Sequence, residues 1–250
     1  MYLVKIYFII FNQPIEKQPS GVADMGCGDG SFLKHIYEVV TTSTRRSAYL
    51  DDYPLVFIGG DFNPAARKAT IKTLSDANIP HHVLHGNIGD PKSFAENIKS
   101  EYDVNLNDLL NVRSFLDHNR IYETPKYLSQ NSISNSTGAF AFRGRWIPNY
   151  ELEQNLVDHF NSWKPYIEKH GLLILELHTI APEAASQNIG NTLATAYDAT
   201  HGYTDQYIVE LDIMLNCAKK ATLYPENKFQ KQYPDGDLAT VSINILKSRK

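Results

Sequence analysis

Three alternating glycines near the start of the chain constrain its fold more than any other feature. Gly26, Gly28 and Gly30 stand between an apolar segment, residues 21–25, and a helix-like segment that begins at Ser31. Glycine is required where a backbone turns sharply, adopts a positive φ or approaches a ligand closely. The pattern therefore predicts a strand, a ligand-binding turn and a helix, which together open a parallel α/β sheet.

The spacing of these glycines favours a nucleoside ligand without phosphates. No Lys-Ser or Lys-Thr pair follows them, which excludes a P-loop. A dinucleotide-binding loop has the pattern Gly-x-Gly-x-x-Gly, whereas here the third glycine comes one position early and Asp29 would face the pyrophosphate. S-adenosylmethionine (SAM) has no phosphate and carries a positive sulfonium, so it tolerates acidic neighbours. The loop predicts SAM binding, with dinucleotide binding as the nearest alternative.

Acidic and amide side chains at strand ends extend the predicted cofactor site. Asp24 lies two residues before the first glycine, and Asp61 ends a predicted strand, residues 56–61, where it can accept hydrogen bonds from both ribose hydroxyls. Helix capping is the alternative role for Asp61. Asn87 or Ile88 is expected to contact the adenine edge. The predicted cofactor-binding residues are Asp24, Gly26, Cys27, Gly28, Gly30, Phe32, Asp61, Phe62, Asn63, Asn87, Ile88 and Asn111.

Strand and helix patterns alternate along the 250 residues and predict one SAM-binding domain. We expect a doubly wound, Rossmann-like α/β fold with a mostly parallel seven-stranded sheet and an antiparallel closing strand. About twenty residues precede Asp24, which predicts a short or truncated N-terminal cap. Other expected features are an exposed loop at 41–53, a fourth strand at 103–106 or 108–111, a lid or insertion near 126–150, and late strands near 207–214 and 239–246.

The composition indicates which kinds of partner the protein binds and which cellular compartment it occupies. A formal charge of −4, with scattered basic residues, argues against nucleic acid as a substrate. No apolar run is long enough to span a membrane. The two cysteines form neither a disulfide framework nor a thiolate metal site, which predicts a cytoplasmic setting. Oligomeric state is not indicated by the sequence.

Polar residues cluster where a central strand is expected to end, at residues 113–120. Ligands bind at the carboxyl ends of strands in open α/β sheets. Methyl transfer requires alignment, and it also requires a base when the acceptor must first lose a proton. The predicted catalytic residues are Arg113, His118 and His178, the last of which ends a predicted strand on the ligand side.

Two histidines and a glutamine form a candidate metal site. His178, His201 and Gln206 would supply two imidazoles and an amide oxygen, a neutral set that suits Fe, Mn or Zn. The alternative is that neither histidine binds a metal, and that one simply ends a strand while the other precedes a glycine.

Two groups of residues carry a family resemblance. The glycine loop with Asp24 and Asp61 resembles the class I SAM-dependent methyltransferase superfamily. The run 113–120, followed by His201-Gly202-x-x-x-Gln206, is similar to polyketide-synthase-associated C-methyltransferases. The similarity is closer to methyltransferase domains of polyketide loading modules, such as that of apratoxin synthesis, although the N-terminus here is shorter than that family's helical lid.

The resemblance implies a particular reaction. It implies methylation of the α-carbon of a malonyl-type thioester on an acyl carrier protein, with mononuclear Fe(II) or Mn(II) bound to the dicarbonyl oxygens. It also implies His201 and Gln206 as metal ligands, while His178 is inferred from its position at a strand end and His118 is a rival. Two alternatives stay open: a metal-free N- or O-methyltransferase of a small metabolite, and a SAM-binding module without catalysis.

Overall fold

A computed structural model of the protein describes residues 2–128, 133–194 and 204–249. These residues form an α/β Rossmann-like fold with eight strands in the main sheet and a separate two-stranded hairpin. The predicted fold class is confirmed, and the sheet has one strand more than the predicted seven. The chain divides into two compact units, residues 1–113 with 166–172 and residues 114–165 with 173–250.

The first unit is built on parallel strands in the order β3-β2-β1-β4. The central strand β1 is buried along its whole length, as expected for a strand covered on both faces. Its last residue, Met25, pairs with Gly60 on one side and Arg113 on the other, so the loops that follow these strands leave from one edge. The strands are β1 Gly21–Met25, β2 Val56–Asp61, β3 His81–His85 and β4 Leu110–Ser114, and the helices are α1 Tyr2–Phe11, α2 Ser31–Ser43, α3 Pro64–Asp76 and α4 Pro91–Tyr102.

Two local predictions in the first unit need correction. The fourth strand begins at Leu110, so the position 103–106 is wrong and 108–111 overlaps it by two residues; residues 106–108 form a 3-10 turn whose preceding Asn105 accepts a hydrogen bond from the Asn107 backbone. Residues 41–53 are not one exposed loop, because α2 continues to Ser43 and a 3-10 helix follows. Arg46 is buried there and donates to Gln18 Oε1 and to backbone carbonyls, which satisfy its guanidinium.

The second unit carries the antiparallel part of the main sheet. In it, β10 pairs antiparallel with both β8 and β9. A short antiparallel hairpin, β5 with β6, lies within the predicted insertion at 126–150. The strands are β5 Phe140–Phe142, β6 Arg145–Ile147, β7 Leu172–Leu177, β8 Leu223–Pro225, β9 Lys231–Tyr233 and β10 Val241–Ser248, and the helices are α5 Asn149–Ile167, α6 Pro182–Gln187 and α7 Leu211–Lys220.

The strand predicted near 207–214 is wrong. Residues 207–210 are buried and belong to no helix or strand, and α7 begins at Leu211. Ile213, Met214, Cys217 and Ala218 are the buried residues of α7, a spacing that follows the helical period rather than alternation. The apolar run therefore has the period of a helix and not that of a strand. Among the described helices, none has the length and apolar character needed to cross a membrane.

Candidate active site

The glycine loop is held in shape by backbone hydrogen bonds to the end of β2. The Gly26 and Cys27 amides donate to the Gly60 carbonyl at 2.7 and 3.1 Å. Gly26, Gly28 and Gly30 have φ values of 82°, 57° and 80°, which L-residues rarely adopt. A Cβ added at Gly28 would meet no described atom within 4 Å, so this part of the loop faces open space. The loop therefore offers bare backbone to a ligand.

Asp61, the last residue of β2, holds the glycine loop through its carboxylate. Its Oδ2 accepts from the Gly28 amide at 3.1 Å and its Oδ1 from the Asn63 amide at 2.8 Å. Each carboxylate oxygen has a second lone pair, which leaves capacity for hydroxyl donors. The residue that caps α3 is Asn63, whose Oδ1 accepts from the Ala65 amide at 2.9 Å, so helix capping does not account for Asp61.

Asp24 is a buried carboxylate at the carboxyl end of β1. Its side chain is 1% exposed, and its Oδ1 has no hydrogen-bond partner among the described residues. Burial raises the pKa of Asp24 well above its usual range, and the charge of Asp61 raises it further. A buried acceptor without a donor is rare in proteins and fits a site that a cationic ligand completes. These features fit the predicted SAM site.

The other predicted cofactor residues take several positions. Cys27 is buried, and Thr70 of α3 donates to its Sγ at 3.3 Å and to the Gly28 carbonyl at 2.9 Å, which fastens the loop to the helix. Phe62 is exposed beside the His85 ring, with the ring centroids 5.3 Å apart. Of the remaining residues, Phe32 and Asn87 are half-buried and Ile88 is buried.

Asn111 does not join the predicted cofactor site. Its amide donates to the carbonyls of Leu106, Leu109 and Tyr166 at 3.1–3.3 Å, and it pairs in register with Ala23 rather than with the residues at the end of β1. The physical reason is that β4 begins at Leu110, so Asn111 lies near the start of this strand and not at its carboxyl end. Arg113, which pairs with Met25, instead lies at the carboxyl end of β4 and is 1% exposed.

In the second unit, His118 forms a buried pair with Glu176 of β7. His118 Nδ1 lies 2.6 Å from Glu176 Oε1, and the His118 amide donates to Glu176 Oε2 at 3.2 Å. Both side chains are about 95% buried, with exposures of 4% and 5%. His118 Nε2 lies 3.0 Å from the side-chain amide nitrogen of Asn119, an exposed residue. The carboxylate thus fixes the orientation of the imidazole.

A second buried histidine–carboxylate pair adjoins the first along the chain. Asp117 Oδ1 lies 2.9 Å from His159 Nε2 of α5. Arg120 donates from Nη1 to the Asp117 carbonyl at 2.9 Å and from Nε to Asn155 Oδ1 at 2.7 Å. Burial lowers the pKa of Arg120 to about 10, while the charge of Asp117 acts in the opposite direction. This network fixes the short turn that carries His118.

His178 is not available as a metal ligand in this structure. It is fully buried, its Nδ1 lies 3.1 Å from the Val209 carbonyl, and its Nε2 lies 2.7 Å from Ser242 Oγ. Burial lowers the pKa of His178 to about 4, so the imidazole is neutral and both nitrogens serve the fold. Gln206 is half-buried, and the proposed partner His201 lies outside the described residues. Within the described ranges no group of three or more His, Cys, Asp or Glu side chains could hold a metal ion.

Sequence reasoning missed Glu176 and the Asp117–His159 pair. Glu176 interrupts the apolar strand Leu172–Leu177, and one charged residue in such a strand is the signal that marks it. Its partner His118 is 58 positions away, so spacing along the chain does not reveal the pair.

Comparison with known proteins identifies the family and supports the fold. Residues 2–244 match the family model described as "AprA MT2-like domain". The fold resembles geranyl diphosphate methyltransferase in complex with SAM, with a TM-score of 0.53, 7% identity, and coverage of 99% of this chain and 84% of that one. It also resembles the CMeT domain of citrinin polyketide synthase, with a TM-score of 0.53, 10% identity, and coverage of 95% and 48%. No curated protein sequence matches this chain.

Proposed function

This chain belongs to the AprA MT2-like family of methyltransferase domains and is a SAM-dependent methyltransferase, and we propose that it methylates an acidic carbon with His118 as the base. The observation that carries the proposal is the buried contact of 2.6 Å between His118 Nδ1 and Glu176 Oε1. A carboxylate held against one imidazole nitrogen leaves the other nitrogen to accept a proton. Such a base is needed where the methyl acceptor is a C–H group.

The proposed step follows from the roles of the two imidazole nitrogens. Nδ1–H donates to Glu176, and the lone pair on Nε2 takes the α-proton while the electrons of the C–H bond become an enolate. Glu176 then stabilises the imidazolium without being protonated itself. The substrate would displace the Asn119 amide, which lies 3.0 Å from Nε2 on an exposed residue. When bound, SAM supplies the electrophilic methyl group.

The first unit supplies the residues that would hold SAM. The bare backbone at Gly28 fits close approach of the adenosyl group, and Asp61 has remaining acceptor capacity for the ribose hydroxyls. The unpartnered Asp24 Oδ1 fits a cationic group. Family membership and these three features support the assignment.

For the acceptor we propose a malonyl-type acyl thioester, carried in the cell by an acyl carrier protein. Its α-hydrogens lie between the thioester carbonyl and the carboxylate, and the thioester carbonyl takes up the electrons of the enolate that forms when one of them is removed. The resemblance of residues 113–120 to polyketide C-methyltransferases supports this acceptor, as does the fold likeness to the citrinin CMeT domain.

The iron or manganese implied by the loading-module resemblance is not part of this proposal. The nitrogens of His178 are both engaged in hydrogen bonds, so His178 does not fit the predicted ligand set. The proposed proton transfer is carried out by His118, and we expect methyl transfer to be insensitive to a chelator such as EDTA.

Deuterium exchange at the acceptor carbon tests the base without methyl transfer. The wild-type protein with S-adenosylhomocysteine (SAH) should accelerate exchange of the α-hydrogens of malonyl N-acetylcysteamine thioester in D2O, followed by NMR. His118→Ala should lower the rate by about 100-fold or more, and Glu176→Gln should lower it less. His35→Ala removes an exposed histidine of α2 and is the matched control. Equal exchange in His118→Ala and wild type would overturn the assignment.

A further inference from the structure

Arg120 is a buried arginine that pairs with no carboxylate in the part of the chain that the structure describes. It is 3% exposed, and it donates from Nε to Asn155 Oδ1 and from Nη1 to the Asp117 carbonyl, both of which are neutral acceptors. Its Nη2 has no hydrogen-bond partner among the described residues. A cation that is removed from water without an anionic partner is costly, so this position calls for a physical reason.

A second donor without an acceptor lies against this arginine. The guanidinium carbon of Arg120 is 5.5 Å from the centre of the Tyr207 ring, and Tyr207 is 1% exposed. Within the described ranges, Tyr207 Oη has no hydrogen-bond partner. Buried hydroxyls are nearly always hydrogen-bonded, and a phenylalanine would fill the same space without the cost of an unpaired hydroxyl. Two adjoining buried side chains therefore each hold an N–H or O–H donor that needs an acceptor.

Both side chains belong to segments that are joined to the proposed base. Arg120 follows His118 by two residues, and the Tyr207 amide donates to the His118 carbonyl at 2.8 Å. Asn119, between His118 and Arg120 in the chain, is the exposed residue that the acceptor displaces in the proposed step. The two donors therefore lie in the part of this unit where the acceptor is expected to bind.

We infer that Arg120 Nη2 and Tyr207 Oη bind the free carboxylate of the acceptor, so that this site selects malonyl-type thioesters over neutral β-ketoacyl thioesters. The two carboxylate oxygens accept from the two unpaired donors, and the negative charge compensates the guanidinium. A β-ketoacyl thioester presents a similar α-carbon but supplies no charge. The inference rests on the proposed function for the place of the acceptor, and it concerns binding rather than proton transfer by His118.

Two acceptors that differ only beyond the α-carbon test this site. Malonyl N-acetylcysteamine thioester ends in a carboxylate, and the acetoacetyl thioester ends in a neutral acetyl group. NMR titration of the SAH-loaded wild type should show tighter binding of the malonyl thioester by about 100-fold, the effect of two hydrogen bonds to a charged acceptor. Tyr207→Phe should lower this preference by about 10-fold, and Arg120→Lys by about 10-fold or more, because lysine does not reproduce the guanidinium geometry.

A second arginine–tyrosine pair in the same unit supplies the matched control. Arg249 lies over the Tyr224 ring at 5.1 Å, and Tyr224→Phe should keep the wild-type preference. Tyr207→Phe should unfold at the same temperature as wild type or higher, because it removes an unpaired hydroxyl, so its result does not depend on whether Arg120→Lys folds.

Two outcomes would overturn the inference. One is equal affinity of the wild type for the two acceptors, and the other is an unchanged preference in Tyr207→Phe. Failure of the proposed base looks different: His118→Ala would then exchange deuterium as fast as wild type, while the preference for the malonyl thioester and its loss in Tyr207→Phe would persist.

Discussion

A single missing Cβ at Gly28 decides what the cofactor loop can accept. The residue combines a positive φ of 57°, an amide that donates to Asp61 Oδ2 and open space on the side-chain face. Gly60 of β2 is a glycine for a different reason. A Cβ at this position would meet the Phe94 ring at 2.7 Å. The two glycines thus serve binding and packing respectively.

Gly28→Val tests the placement of the loop. A valine side chain would occupy the open space predicted for the adenosyl group and would strain a positive φ. We expect SAH affinity, measured by calorimetry, to fall by about 100-fold or more, which corresponds to about 2.7 kcal/mol. Gly236→Val introduces a similar strain at a φ of 99°, also with open space, and should leave SAH affinity unchanged. Unchanged affinity in Gly28→Val would show that the ligand lies elsewhere.

The sequence predicts the position of a residue when neighbouring residues determine it. It does not predict the contacts that a residue makes with distant segments. The position of Asp61 at the end of a strand and of the glycines in a turn follows from spacing along the chain, and β2 has the predicted bounds. Glu176 acts through His118, and Arg46 is buried because carbonyls and Gln18 from other segments satisfy it. Such long-range partners leave no periodic signal in the sequence.

At the scale of elements, one carboxylate holds a segment of the predicted insertion to the start of α7. Glu210, just before α7, accepts from the Thr137 amide and hydroxyl, both at 2.7 Å, and from Ser136 Oγ at 2.8 Å. Asn149 at the start of α5 donates to the carbonyls of Ser136 and Gly138. Residues 136–138 are therefore fastened from two helices of the same unit.

Glu210→Ala should release this segment. Three hydrogen bonds to a carboxylate are lost, so we expect the free energy of unfolding to fall by about 1.5–3 kcal/mol. Amide hydrogen exchange in a peptide covering residues 133–142 should become faster, while exchange in β1 should not change. Glu183→Ala, an exposed glutamate of α6, is the control. Unaltered exchange in residues 133–142 would show that Glu210 does not anchor them.

The strand predicted where α7 lies has a physical explanation. The residues of α7 alternate poorly but are buried at helical spacing, and a short apolar run does not distinguish the two periods. The early placement of β4 had the further consequence of assigning Asn111 to the cofactor site. Longer amphipathic segments are less ambiguous, since in α5 the apolar side chains at helical spacing, Leu152, Leu156, Phe160 and Trp163, are all buried.

At the scale of the whole molecule, buried ionisable groups link stability to pH. His178 is neutral in the fold with its pKa lowered to about 4 by burial. The unfolded chain takes up a proton near pH 6.5. The contribution of His178 to stability is therefore present above about pH 6.5 and is lost as pH falls to about 4. Asp24 acts with the opposite sign, because its pKa is raised in the fold.

A comparison of two proteins isolates the effect of His178. Between pH 7 and pH 4, the free energy of unfolding of the wild type should fall by up to about 3 kcal/mol more than that of His178→Gln. Denaturant titrations at each pH give the difference, and the Asp24 contribution cancels between the two proteins. His35→Gln, an exposed change, should follow the wild type. Parallel curves for wild type and His178→Gln would refute the neutral, buried state.

The measurement that tests the central claim most directly is the position of a transferred methyl group. The protein is incubated with SAM labelled with 13C in its methyl group and with malonyl N-acetylcysteamine thioester, and the product is examined by NMR. We predict label on the α-carbon, a rate lower by about 100- to 10,000-fold in His118→Ala, and SAH affinity unchanged in that variant. Label on oxygen, or a wild-type rate in His118→Ala, would contradict carbon methylation by the His118–Glu176 pair.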